Sequence, residues 1–143
     1  AAAAPAPPPP APREAIEELR AAIQDPGQAV VMFALEWCEF CWSVRKLFQR
    51  YGIPYRSVDL DSVAYQAGDR GGALRAALRE HTGWNTLPQI FIGGEFVGGC
   101  TDVFDLGKDG RLREMLAARG IELAEAIDDP YGFLPKWLQP RGR

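Results

Sequence analysis

Apolar residues recur along this chain first at helical and then at strand spacing. Between Arg13 and Gln24 they fall three and four positions apart, which predicts an amphipathic helix that ends at Asp25-Pro26-Gly27. The run from Ala29 to Leu35 is short, rich in valine and other bulky apolar residues, and bounded by turn signals. It therefore predicts a buried strand that follows the first helix.

The same alternation of helix and strand continues to residue 119. Gly93-Gly94 stands between two short apolar runs, which is typical of a hairpin turn. Thr101 is a suitable residue to cap a helix. The predicted elements after the first strand are, in order, a helix over Cys41–Tyr51, a strand over Pro54–Asp59, a helix over Ala73–His81, strands at Gln89–Ile92 and Glu95–Val97, a helix from Thr101 and a helix over Arg111–Arg119.

This order predicts an α/β fold with one mixed four-stranded sheet flanked by helices. Strand–helix–strand units imply a parallel pair joined by a right-handed crossover, and the hairpin adds antiparallel strands. The first helix precedes the first strand as an extra N-terminal element. Residues 120–143 are less regular, and we expect this C-terminal extension to pack back onto the domain.

Residues 1–12 contain only alanine and proline, so they are expected to form a disordered tail or linker. They lack the basic start and the apolar core of a secretory signal. The composition fits two origins equally well: a linker from an upstream domain, or the remnant of a removed targeting segment.

Composition and charge exclude several classes of protein. The longest apolar run has seven residues, which is too short to cross a bilayer. A net charge of −3 gives no electrostatic basis for nucleic acid or a membrane surface as a partner. Three cysteines are too few for a disulfide framework. Their small number favours a reducing compartment, either the cytoplasm or an organelle stroma or matrix.

The chemistry of the chain centres on Cys38-Glu39-Phe40-Cys41. This pair of cysteines lies between a predicted strand and the first turn of a helix, where backbone N–H groups and the helix dipole favour a thiolate. Cys38 is therefore the predicted nucleophile, and Cys41, one turn along, the resolving thiol. A zinc site would need two further ligands, and Cys100 and His81 do not form the usual closely spaced second pair. Two buried structural thiols remain an alternative.

Three motifs, in this order and spacing, resemble the glutaredoxin family. They are Trp37-Cys38-Glu39-Phe40-Cys41, Thr86-Leu87-Pro88, and Val97-Gly98-Gly99-Cys100-Thr101-Asp102. The resemblance covers about residues 14 to 119 and implies a thioredoxin-like fold. Residues 13–119 are thus expected to form one glutaredoxin domain.

The resemblance implies a glutathione site beside the cysteines. In the family, the proline matching Pro88 is cis and faces the active site, and the backbone of Leu87 would pair with glutathione. Gly98-Gly99 allows the chain to approach the ligand closely, and the start of the next helix would hold the γ-glutamyl end of glutathione. The residues that the resemblance assigns to glutathione are Trp37, Phe40, Thr86, Leu87, Pro88, Gly99, Cys100, Thr101 and Asp102.

The chain departs from the family beside the nucleophile. Leu35 stands where most members have a lysine, and Glu36 and Glu39 add carboxylates that disfavour a thiolate. A charge about 6 Å away is worth on the order of 1 kcal/mol, which is similar to the contribution of a helix terminus. The candidates to replace the missing lysine in binding glutathione are Arg70 and, less directly, Lys46.

The resemblance implies a monomeric enzyme that uses glutathione as co-substrate. It would reduce glutathionylated proteins and protein disulfides through Cys38. One alternative is a [2Fe–2S] carrier or sensor, in which Cys38 and glutathione hold the cluster in a dimer. Trp37 and the Glu39 that replaces a family proline suggest it. Another alternative is a glutaredoxin module of low activity, fused to a further domain.

Overall fold

The computed structural model describes residues 9–138, and its elements follow the apolar pattern. The helices are α1 (Arg13–Ile23), α2 (Glu39–Arg50), α3 (Arg70–Thr82), α4 (Cys100–Asp109) and α5 (Arg111–Ala117). The strands are β1 (Val30–Ala34), β2 (Arg56–Asp59), β3 (Gln89–Ile92) and β4 (Glu95–Gly98). Short 3-10 turns lie between β2 and α3 and in the C-terminal extension.

The four strands form one mixed sheet in the order β2-β1-β3-β4. β1 pairs parallel with β2 and antiparallel with β3, and β3 pairs antiparallel with β4. Every residue of β1 is buried, because this central strand has neighbours on both edges and helices on both faces. The predicted mixed four-stranded sheet flanked by helices is confirmed.

The alternation of side chains along β1 divides the core into two layers. Val30, Met32 and Ala34 pack with residues of α2, α4 and α5 on one face of the sheet. Val31 and Phe33 pack with residues of α1 and α3 on the other face. Cys41 and Cys100 both belong to the first layer, so the cysteine motif and the glycine-rich motif share one side of the sheet.

Two helices begin earlier than the apolar pattern predicts. α2 starts at Glu39 instead of Cys41, which makes Cys38 its N-cap residue. α3 starts at Arg70 instead of Ala73 and includes Gly71. A Cβ atom on Gly71 would lie 2.1 Å from the carbonyl oxygen of Leu60. This glycine therefore marks a close approach between the helix and the loop after β2, and it does not end the helix.

Both ends of the described chain pack onto the domain. Residues 9–12 differ from the expected disordered tail: Ala11 is only 8% exposed, and its N–H donates to Glu80 Oε1 at 2.7 Å. A small apolar side chain and one backbone hydrogen bond thus attach this segment to α3. Residues 1–8 lie outside the described part, so the expectation for them stays a prediction.

The C-terminal extension returns over α2 and α4. The N–H of Ala124 donates to the carbonyl oxygen of Tyr51 at 2.9 Å, and the Tyr131 hydroxyl donates to Asp105 Oδ1 at 2.7 Å. The ring of Phe133 meets that of Tyr51 edge to face. Residues 120–138 thus lie against the face of the domain that carries α2, while residues 139–143 lie outside the described part. Within residues 9–138, none of the helices has the length and apolar character needed to cross a membrane.

We expect Gly71→Ala to destabilise the protein, although alanine is the better helix former by up to about 1 kcal/mol. The new methyl group would overlap a backbone oxygen, and overpacking of this kind typically costs about 1–3 kcal/mol. Urea unfolding should therefore show a net decrease in the free energy of unfolding. Gly132→Ala is the matched control, because a Cβ there meets nothing within 4 Å. Equal free energies of unfolding for the two variants would contradict this expectation, because the loop at Leu60 would then move aside without loss of stability.

Candidate active site

Cys38 occupies the N-cap position of α2, directly after the loop that follows β1. Its Sγ accepts a hydrogen bond from the backbone N–H of Cys41 at 3.3 Å. The side chain is half-buried, so the sulfur is both held by the helix terminus and open to solvent. N–H groups and the positive end of a helix dipole favour negative charge at this position. The local structure therefore suits a nucleophilic thiolate.

The other two cysteines are buried beside Cys38. Burial raises the pKa of Cys41 to about 12, and the hydrogen bond to Cys38 and the charge of Cys38 act in the same direction. Burial likewise raises the pKa of Cys100 to about 12, with further contributions from Cys38 and Asp102. Both thiols are therefore protonated at neutral pH. Cys38 alone of the three cysteines is positioned to react as an exposed sulfur.

Arg45 holds the start of the loop that carries Cys38. Its Nη2 donates to the carbonyl oxygen of Leu35 at 3.0 Å and to Asp59 Oδ1 at 2.7 Å. The Arg45–Asp59 ion pair is largely shielded from solvent, and it links α2 to the end of β2. This role could not be predicted from the sequence, because Asp59 is 14 positions away from Arg45 and only the parallel pairing of β1 with β2 brings the two together.

The next residue of the loop, Glu36, is held through its backbone. Its N–H donates to Asp61 Oδ1 at 2.7 Å, and its carbonyl oxygen accepts from Trp42 Nε1 at 2.7 Å. The indole of Trp42 also meets the ring of Trp37 edge to face, with centroids 5.9 Å apart. Trp37 itself is 80% exposed, so it forms an aromatic rim beside Cys38.

A buried amide supports the loop before Pro88. Gln89 is 1% exposed, and its Nε2 donates to the carbonyl oxygens of Trp84 and Thr86, each at 3.1 Å. Its Oε1 accepts from Thr82 Oγ1 at 3.0 Å. Each polar atom of the Gln89 side chain thus has a partner, which a buried amide requires. The sequence suggested only a strand residue at this position.

The Leu87–Pro88 peptide bond is cis, as the resemblance implies. Leu87 is half-buried, and Pro88 is buried. Within residues 9–138, neither the N–H nor the C=O of Leu87 has a hydrogen-bond partner. The backbone of Leu87 is therefore open to an external strand-like partner.

The glycine-rich turn meets this loop. A Cβ on Gly99 would lie 3.3 Å from the carbonyl oxygen of Pro88, so the two segments are in contact. Gly98 has a φ of +117°, which disfavours any larger residue there. The Gly99 N–H donates to Asp102 Oδ2 at 2.9 Å, which places this carboxylate at the N-terminus of α4. Thr101, in the first turn of α4, is exposed.

The two arginines near the start of α3 have different surroundings. Arg70 is paired with Glu18 of α1, and its guanidinium lies 4.9 Å from the centre of the Tyr65 ring. These contacts do not bring it to the other predicted glutathione residues. Arg75, which sequence analysis missed, donates from Nη2 to the carbonyl oxygen of Asn85 at 3.1 Å. The contact could not be predicted from the helical pattern, because the path of the loop before Pro88 is a tertiary feature.

The C-terminal extension reaches the two residues between the active-site cysteines. Trp137 Nε1 donates to Glu39 Oε2 at 3.0 Å, and the rings of Trp137 and Phe40 meet edge to face with centroids 6.1 Å apart. The Glu39 carboxylate, next to Cys38 in the chain, is therefore in direct contact with the extension. The sequence predicts that the extension packs on the domain, but not that it reaches the cysteine motif.

The iron–sulfur alternative stays a prediction. Across residues 9–138, no group of three or more His, Cys, Asp or Glu side chains is arranged to hold a metal ion. Cys38 is the half-exposed thiol, whereas Cys41 and Cys100 are buried. A cluster would therefore take one cysteine from this chain and its remaining ligands from elsewhere.

The chain is similar to known glutaredoxins over most of its described length. The glutaredoxin family model matches residues 30–97. The chain is 37% identical over 94 residues to monothiol glutaredoxin-S10 of Oryza sativa subsp. japonica, which covers 66% of this chain and 55% of that protein. It is 36% identical over 91 residues to glutaredoxin-C6 of the same organism, which covers 64% of this chain and 77% of that protein.

A solved structure extends the likeness to the fold. The structure of the buckwheat glutaredoxin–glutathione complex matches with a TM-score of 0.68 and 34% identity, over 77% of this chain and 94% of that one. The chain spans about half the length of the first rice relative, so the likeness concerns the glutaredoxin domain. Its sequence motifs, its sheet order and these relatives agree, and the chain belongs to the glutaredoxin family of thiol–disulfide oxidoreductases.

Proposed function

We propose that this chain reduces glutathione mixed disulfides, with Cys38 as the nucleophile and glutathione as the reductant. The observation that carries the proposal is the contrast among the three thiols. Cys38 is half-exposed at the N-terminus of α2, whereas Cys41 and Cys100 are buried with pKa values raised to about 12.

The reaction would proceed in two exchanges. The Cys38 thiolate attacks the glutathionyl sulfur of the substrate, the disulfide bond of the substrate breaks, and the substrate cysteine leaves as a thiolate that takes a proton from solvent. Cys38 is then joined to glutathione. The thiolate of a second glutathione attacks the glutathionyl sulfur, which releases oxidised glutathione and restores Cys38.

The competing dithiol route requires Cys41 to lose its proton before it attacks Cys38. In the reduced chain the pKa of Cys41 is raised, mainly by burial, and burial would act in the same direction when Cys38 is part of a mixed disulfide, so the Cys41 thiolate would be scarce at neutral pH. This supports the glutathione route as the main one. Protein disulfides would still be reduced through Cys38, with slower closure of the Cys38–Cys41 bond.

We propose that glutathione lies across the cis-proline loop and the start of α4. The unpaired N–H and C=O of Leu87 suit the backbone of a tripeptide, and the first turn of α4 suits its γ-glutamyl carboxylate, with Asp102 near its ammonium. Thr86, Pro88, Gly99, Cys100 and Thr101 would line this surface, with Trp37 and Phe40 at the cysteine end. The buckwheat relative was solved with glutathione, which supports the assignment.

For the glycine carboxylate of glutathione we propose Arg75 as the cation, in preference to Arg70. Arg75 contacts the loop that leads into Thr86, whereas Arg70 is engaged by Glu18. A charge-assisted hydrogen bond to a carboxylate is stronger than a neutral one, so a single arginine here would contribute measurably to affinity.

Replacing the nucleophile should separate this function from its alternatives. Cys38→Ser should lower kcat/KM for a glutathionylated peptide by on the order of 10³-fold or more, because serine is not a nucleophile at neutral pH. Cys41→Ser should change it by less than about threefold, because the glutathione route does not use the second thiol. Retained deglutathionylation in Cys38→Ser would reject the proposal. An inactive unmodified chain would favour the low-activity module.

Alkylation of the native protein should be selective for one cysteine. A pKa raised from the ordinary 9.0 to about 12 lowers the thiolate fraction of Cys41 and Cys100 at any pH below 9. Iodoacetamide at pH 7 should therefore add one group, at Cys38, as read by mass spectrometry. The protein unfolded in urea should add three, since burial is lost. Labelling of Cys100 in the native protein at a rate like that of Cys38 would contradict this description.

Two matched variants test the choice of cation. Arg75→Met should raise KM for a glutathionylated peptide by about three- to tenfold, because a charge-assisted contact to the ligand is lost. Arg70→Met removes the same charge but only a surface ion pair, and its KM should stay close to that of the unmodified chain. If steady-state kinetics instead show a raised KM for Arg70→Met and an unchanged KM for Arg75→Met, Arg70 is the residue that binds the glycine carboxylate.

A further inference from the structure

An open groove lies between α2 and the C-terminal extension, and no residue of the cis-proline loop lines it. Its volume is about 460 Å³. One wall is formed by α2 and the other by residues 132–137 of the extension. The proposed reaction with glutathione leaves this groove unused.

The wall on α2 begins beside the nucleophile. It consists of Glu39, Trp42, Ser43 and Lys46, which are spaced at positions i, i+3, i+4 and i+7 and so share one face of the helix. Glu39 directly follows Cys38, and Lys46 lies two turns further on, about 10 Å along the helix axis. An extended peptide covers this distance with three or four residues.

The two sides of the groove are aromatic. Trp42 on α2 is 41% exposed, and Trp137 on the extension is 68% exposed. Trp137 is held by its contacts with Glu39 and Phe40 and not by burial in the core. Large indole surfaces that remain open on both sides of a groove favour an apolar side chain between them.

Two of the three charged side chains that line the groove are positive. Lys46 and Lys136 line it, and within residues 9–138 neither ammonium has an ion-pair or hydrogen-bond partner. The carboxylate of Glu39, at the end near Cys38, is engaged by Trp137. The whole chain has a net charge of −3, so these two lysines are a local feature and not a sample of a basic surface.

We propose that this groove binds the polypeptide segment next to the glutathionylated cysteine of a protein substrate. The segment would lie extended along α2, with an apolar side chain between Trp42 and Trp137. An acidic side chain three or four residues from the cysteine would meet Lys46 and Lys136. The proposal rests on the proposed attack of Cys38 on mixed disulfides, and it assigns a preference for acidic substrates to a chain that is itself acidic.

The test compares two glutathionylated peptides with the full chain. Both have a leucine two residues from the cysteine on each side. One has glutamates at the third and fourth positions on each side, and the other has lysines there. At low ionic strength we expect kcat/KM for the acidic peptide to exceed that for the basic one by about fivefold or more, and the ratio to fall as salt is added.

Charge reversal locates the preference. Lys46→Glu/Lys136→Glu should invert the ratio of kcat/KM, because the groove then favours the basic peptide. Arg20→Glu/Arg113→Glu is the matched control: it changes the net charge equally, at exposed positions of α1 and α5 outside the groove, and should keep the preference for the acidic peptide. A ratio near one in the unmodified chain, or a ratio that the lysine variant does not change, would overturn the proposal.

A binding measurement separates this inference from the proposed reaction. Cys38→Ser is titrated with the same peptides in which serine replaces the glutathionylated cysteine, and tryptophan fluorescence is the readout because Trp42 and Trp137 line the groove. Tighter binding of the acidic peptide supports the groove even if a small glutathione mixed disulfide is not turned over. If that small disulfide is turned over but the two peptides do not differ in kcat/KM or in binding, the proposed peptide site is rejected. The proposed reduction of glutathione mixed disulfides is then unaffected.

Discussion

The N-terminus of α2 and the sulfur of Cys38 form the contact around which this molecule is organised. One backbone N–H, that of Cys41, points at the sulfur from 3.3 Å, and the helix dipole adds to it. The chain lacks a lysine at Leu35 and carries carboxylates on both sides of Cys38. Helix geometry must therefore supply what a nearby cation would otherwise contribute, and the start of α2 has to be held in place.

The surrounding structure holds it from three sides. Arg45 and Trp42, both on α2, reach back to the loop between β1 and α2, and Asp61 reaches the same loop from beyond β2. On the third side, Trp137 engages the carboxylate of Glu39. The extension thus contacts the residue that follows Cys38 and also forms a wall of the groove.

Much of this could be predicted from the sequence because the signals are local. The alternation of helix and strand, the hairpin at Gly93-Gly94 and the place of Cys38 between a strand and a helix each depend on a few neighbouring residues. The predictions were wrong where the structure depends on contacts between residues that are distant in the sequence. α3 was predicted to start at Ala73, yet it starts at Arg70 and includes Gly71, where the carbonyl of Leu60 leaves room for no other residue. Residues 9–12 were expected to be free, yet Ala11 is buried against α3.

The sequence by itself determined the fold class, the cysteine motif and the family, because periodicity and motif order are properties of the chain. Only the tertiary structure decided that Arg75 lies at the loop before Thr86 while Arg70 pairs with Glu18, and that Trp137 meets Glu39 across 98 positions. Burial and pairing between distant residues depend on how the layers pack, and no local pattern encodes that packing.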